Sequence, residues 1–172
     1  SVELFGVSTP FTSEAAQAFN YVSFGAKAAW NPVGDEIMVA GDFGHARLWT
    51  PGSDRAPSNL ADDKGALAPV SYFQWNPDGE RAVMIGDAGA VWVWNRGGVS
   101  RGLAAPNTRL AAWSPDGSRL LTLSTTDVWL WDDQFRGVKL MDKESRPVWS
   151  RDGLHVADGN GDGLVVMDIN DR

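Results

Sequence analysis

The sequence predicts an all-β chain in which several small antiparallel sheets stack face to face. Three observations carry that prediction. One phrase is written four times, as KAAWNPVGDEIM (27–38), YFQWNPDGERAV (72–83), LAAWSPDGSRLL (110–121) and RPVWSRDGLHVA (146–157). Each copy follows its Trp with Asn or Ser and a turn, written NPVGD, NPDGE, SPDGS or SRDGL. The chain of 172 residues also holds 19 Gly and 9 Trp against 2 His, a mixture suited to many short strands and tight turns around aromatic packing positions.

Aligned on the Trp, the copies fall at Trp30, Trp75, Trp113 and Trp149, spaced by 45, 38 and 36 residues. Periods of this length indicate a repeat architecture. Within each unit the first strand ends at the Trp. In the first three units Pro then sets φ for a turn, and in all four Gly supplies the positive φ that closes it, which makes a hairpin. The second strands read EIMVAG, RAVMIG, RLLTLS and LHVADG, and the third read HARLWT, AVWVWN, DVWLWD and LVVMDI. A looser fourth segment completes each small sheet.

Such a sheet cannot bury both faces alone, and radial stacking of several gives a β-propeller. The first-strand tryptophans and Trp49, Trp94, Trp131 and Met167 of the third strands then occupy equivalent core positions in successive blades. The expected arrangement is one domain over 1–172, with blades near 26–69, 70–105, 109–142 and 146–170. VELFGVS (2–8) reads as an isolated strand that closes the last blade. Residues 9–25 bridge to the first blade, with a helical turn expected at 13–19. The polar, breaker-rich stretch 51–69 accounts for the longest spacing as an insertion that is mostly loop. Four blades allow a closed four-blade ring, half of an eight-blade ring shared by two chains, or a fragment of a longer propeller. An open arc would leave an apolar flank exposed.

WSPDGSRLLTLSTTDVWLWD (113–132) resembles a WD40 repeat, and the other three units are similar but weaker, so the resemblance covers about 26–170. The departures are specific. The Trp-Asp pair occurs once, at Trp131-Asp132, where the first two units have Trp49-Thr50 and Trp94-Asn95. Phe43 and Ala88 stand where the family carries a structural Asp, and Gly44-His45 lies in a different turn from the family's Gly-His. The chain is identified as a divergent member of that family.

The chemistry read from the residues is sparse. Lys and Arg total 15 against 22 Asp and Glu, a net charge of −7 that disfavours nucleic acid or a membrane surface as the main partner. There is no cysteine, hence no thiolate metal site, disulfide or Cys nucleophile. The compartment stays open, with an intracellular setting expected ahead of a secreted one. His45 and His155 fall in different units with no nucleophile elbow beside them. The neighbouring carboxylates Asp62-Asp63 and Asp132-Asp133 point apart in an extended chain, a poor acid–base pair. No enzyme activity and no cofactor are expected. DGNGDG (158–163) matches the first half of a calcium loop through Asp158, Asn160 and Asp162, but Ile169 stands where the bidentate Glu belongs. A Gly-rich turn is the competing account of that stretch.

The resemblance implies a non-catalytic scaffold that binds another protein or a peptide. A propeller that binds calcium or a small ligand, or an accessory domain of an enzyme, is the alternative. In the family, the face bearing the turns into the first strand and out of the second commonly binds partners. Carried over by position, that face holds Lys27, Tyr72, Leu110 and Arg146, three residues before each Trp, with Arg109 beside Leu110 and Phe43, His45 and Asp127 after the second strands. Cations and aromatics in an acidic chain suit an acidic or polar peptide. Trp92 and Trp129 share a strand face with Trp94 and Trp131, and serve either as packing residues or as a second, aromatic anchor. A homodimer completing the ring is a further expected partner.

Overall fold

A computed structural model describes residues 27–41, 44–61, 64, 69–86, 88–98, 100–141, 146–160 and 163–169. The expected closing strand at 2–8 and helical turn at 13–19 lie outside these residues, as do Asp62-Asp63, Phe43 and Asp162. The chain is all-β over the described residues, in four antiparallel sheets that follow one another along the sequence. The first is β1 (Lys27–Trp30), β2 (Ile37–Gly41), β3 (Gly44–Trp49) and β4 (Ser58–Asn59). The second is β5 (Val70–Trp75), β6 (Arg81–Gly86), β7 (Val91–Asn95) and β8 (Arg101–Leu103). The third is β9 (Leu110–Trp113), β10 (Leu120–Leu123), β11 (Val128–Trp131) and β12 (Gly137–Met141). The fourth has three strands, β13 (Val148–Trp149), β14 (His155–Asn160) and β15 (Gly163–Asp168).

Every sheet is a meander whose strands pair in sequence order, as short hairpins dictate. The 51–69 insertion is not wholly loop: β4 lies inside it and pairs with β3 through Arg47 opposite Asn59. The first hairpin of each later sheet closes as read from the sequence. Gly117 N–H donates to Ser114 C=O at 2.9 Å with φ +72° at the Gly. A Cβ there would strike the amide of Asn76, so both the left-handed backbone and the close approach require Gly.

The sheets pack face to face in sequence order through three apolar layers. Met38, Ala40, Ala46 and Leu48 of the first meet Phe73, Trp75, Ala82, Met84, Trp92 and Trp94 of the second. Val83, Ile85, Val91 and Val93, on the other face of the second, meet Ala111, Trp113, Leu120 and Trp131 of the third. Leu121, Leu123, Val128 and Leu130 then meet Val156, and Trp149 and Met167 pack against them. The alternation of Cβ atoms along a strand is what lets one sheet feed two layers.

One bond recurs at all three layers. The indole Nε1 of Trp75 donates to Ala29 C=O at 3.2 Å, that of Trp113 to Gln74 C=O at 3.4 Å, and that of Trp149 to Ala112 C=O at 3.0 Å. Each acceptor is the residue just before the Trp of the preceding sheet. Trp30 breaks the expected pattern of core tryptophans: it is 59% exposed, because no described sheet lies on its side of the stack. At the other end of the series Val148 is also exposed, at 62%, so the described residues form an open stack with no closed ring.

Candidate functional site

Each sheet has two ends, and the sequence treats them differently. One end carries the hairpins between first and second strands and is stitched across sheets. Asn31 Nδ2 donates to Gly79 C=O at 2.9 Å, and Asn76 Nδ2 to Gly117 C=O at 2.8 Å. Arg96 pairs with Glu36 of the neighbouring sheet at 2.7 Å. Arg81 donates to Gly117 C=O at 3.0 Å and lies over the Trp113 ring, 5.3 Å from its centroid. These polar groups largely satisfy one another.

The opposite end carries the starts of the first strands and the connections from second to third strands. Lys27 opens β1, Tyr72 is the third residue of β5 and Leu110 opens β9; Arg109 and Arg146 lie just before β9 and β13. The structure brings several of them together. Lys27 Nζ lies 5.3 Å from the Tyr72 ring centroid and donates to Ser71 C=O at 3.2 Å. The Tyr72 hydroxyl donates to Ala111 C=O at 2.9 Å. Lys27, Tyr72 and Ala111 thus link three sheets along one line. Burial raises the Tyr72 pKa above 10.0, so the phenol stays a neutral donor at physiological pH.

Leu110 sits beside this line and is partly exposed, and its neighbour Arg109 is exposed, held by its backbone N–H to Leu123 C=O at 2.8 Å. Arg146 is exposed at the corresponding point of the fourth sheet. Among the described residues neither guanidinium has a hydrogen-bond or ion-pair partner. Two cations with unspent donors therefore follow the Lys27–Tyr72 pair, on the third and fourth sheets of the series.

The remaining residues expected in the site are engaged elsewhere. Asp127 pairs with Lys139 of β12 at 2.7 Å, and the bond from Lys139, with a second from Thr126, holds its carboxyl below the usual range. His45 lies in β3 and bridges to Pro69, with its Nδ1 buried and without a hydrogen-bond partner among the described residues. Of the two roles open to it, packing residue or anchor, Trp92 packs: at 4% exposure it fills the layer between the first two sheets. Trp129 is half-buried and stacked on Trp131, with ring centroids 5.9 Å apart.

The described residues of DGNGDG lie in strands. Asp158, Gly159 and Asn160 are strand residues paired with Val165, Leu164 and Gly163, and Asp158 is buried. Among the described residues no group of three His, Asp or Glu side chains is placed to hold a metal ion. Nor is any helix of the described residues long and apolar enough to cross a membrane.

Sequence reasoning missed the roles of Asn31, Asn76 and Arg81, which it read as turn or strand residues. Their partners lie in a neighbouring sheet. Comparison with known proteins finds no matching family model and no matching curated protein.

Proposed function

We propose that this chain is a divergent WD40-like β-propeller segment acting as a non-catalytic platform for a protein or peptide. Its ligand is an extended acidic or polar segment. Four sequential meander sheets, stacked through one recurring Trp-to-carbonyl bond, support the propeller reading. The observation that carries the binding reading is the row Lys27, Tyr72, Arg109, Leu110 and Arg146 along one end of that stack. Lys27 covers Tyr72, and the two guanidiniums have no partner among the described residues.

The physical logic is direct. A rigid stack presents these side chains with little ordering cost, so more of the contact energy appears as affinity. Guanidinium groups bind carboxylates with two parallel bonds, and Tyr72 and Leu110 add apolar contact area along the same row. In a chain of net charge −7, a local basic row concentrates attraction for an acidic segment at one place.

The test uses a fluorescent, aspartate- and glutamate-rich peptide of about ten residues, long enough to span several strand spacings. Fluorescence anisotropy is measured with the intact chain and with Arg109→Ala/Arg146→Ala, whose fold is checked by circular dichroism. Binding falls at least about tenfold in the variant, or about 1.4 kcal/mol. Equal binding by both chains, or by neither, contradicts the assignment.

A further inference from the structure

The three interfaces inside the stack share one construction, and the two open flanks are its two unused halves. On the fourth sheet, Val148, Ala157 and Val166 lie in register on the outward face, with Leu164 opposite Gly159 on that face. The corresponding residues of the third sheet are Ala112, Leu121, Leu130 and Val128, and its Leu121, Leu130 and Val128 are buried against the fourth. On the fourth sheet Val166 is 58% and Leu164 72% exposed. This flank is the half that offers aliphatic side chains and the carbonyl of the residue before the Trp.

The outward face of the first sheet is the other half. Trp30 and Ile37 are in register there, with Val39 two residues along. They correspond to Trp75, Ala82 and Met84, all buried in the layer between the first and second sheets. Trp30 is exposed, and its indole N–H has no acceptor among the described residues. At the three internal interfaces the equivalent N–H donates to a carbonyl that corresponds to Val148 C=O.

We propose that these flanks bind each other in trans: a second copy of this chain seats its fourth sheet on the first sheet of its neighbour. The Trp30 indole then donates to Val148 C=O of that second copy. The occupant follows from continuity with the internal interface, since among the described residues no other surface repeats its register, its aliphatic set and its carbonyl. The contact is head to tail, so two copies use both flanks twice and close, or further copies extend the array. This inference rests on the repeated interface and is independent of the peptide-binding row.

The test is a complementation. Molar mass is measured by light scattering across a concentration series for the intact chain, Trp30→Glu, Val166→Glu and an equimolar mixture of the two variants. Both substituted side chains are exposed, and circular dichroism and urea melts confirm that each variant folds. The intact chain associates, each variant alone is monomeric, and the mixture forms heterodimers through its one intact pair of flanks. An intact chain that is monomeric throughout overturns the proposal. So does a variant that still self-associates, which would mark a contact between like flanks, or a mixture that stays monomeric.

Discussion

The Trp149 indole donates its N–H to Ala112 C=O at 3.0 Å across the interface between the third and fourth sheets. The bond ties a packing side chain to a backbone group and so fixes both depth and register of the stack. Buried indole N–H groups need such partners, and an edge-strand carbonyl can take a second bond without leaving its ladder.

Trp113→Phe keeps an aromatic ring in the layer but removes the bond to Gln74 C=O and part of the buried volume. It lowers stability by about 1–2 kcal/mol, whereas Trp113→Ala costs about 3–5 kcal/mol. Urea unfolding followed by circular dichroism measures both. Equal losses for the two would show that the ring contributes nothing beyond its polar atom.

Gly117→Ala combines a positive φ with a collision against the Asn76 amide, whose Nδ2 bonds Gly117 C=O at 2.8 Å. Stability falls by about 2 kcal/mol or more. Gly97→Ala is the control: it is exposed, has no positive φ, and a Cβ there meets nothing within 4 Å. Its effect stays within about 0.5 kcal/mol. The difference between their urea midpoints measures the cost of the special turn.

Much of the fold was legible because its signals are local. The Asn-Pro-Asp-Gly and Ser-Pro-Asp-Gly turns fix hairpins within a few residues, and alternation around Trp75, Trp113 and Trp131 marks the buried faces. The site was legible only in part. The repeat position of Lys27, Tyr72, Leu110 and Arg146 is what places them along one end of the stack. Asp127 falls on the expected partner face by position, but nothing local shows that Lys139, in the next strand, pairs with it. Trp92 and Trp129 share the same place in the repeat, yet Trp92 is buried and Trp129 is only half-buried, a difference set by the sheet opposite each. Trp30 shows the same limit from the other side, since repetition marks it as core and no described sheet covers it.

Acid weakens the hairpin turns. Ser114 donates to the Asp116 carboxylate at 2.6 Å, and Ser150 donates to Asp152; these bonds, first among several, hold both carboxyls below their ordinary 3.8. A depressed folded-state pKa means the unfolded chain binds protons first. The contribution is therefore complete above 3.8 and is lost as pH falls through the folded-state values. Urea midpoints are expected to hold steady between about pH 7 and 5 and to drop below about pH 4. Asp116→Asn/Asp152→Asn flattens that acid limb, and an unchanged limb would assign it to other groups.

The proposed partner surface is the end of the stack bearing the first-strand starts. Hydrogen–deuterium exchange of the intact chain, with and without saturating acidic peptide, tests it most directly. The expected result is added protection in the segments holding Lys27, Tyr72, Arg109–Leu110 and Arg146, with little change at the hairpins 31–36, 76–80, 114–118 and 150–154. Protection confined to those hairpins, or to the outward faces of β1 and β15, would contradict it.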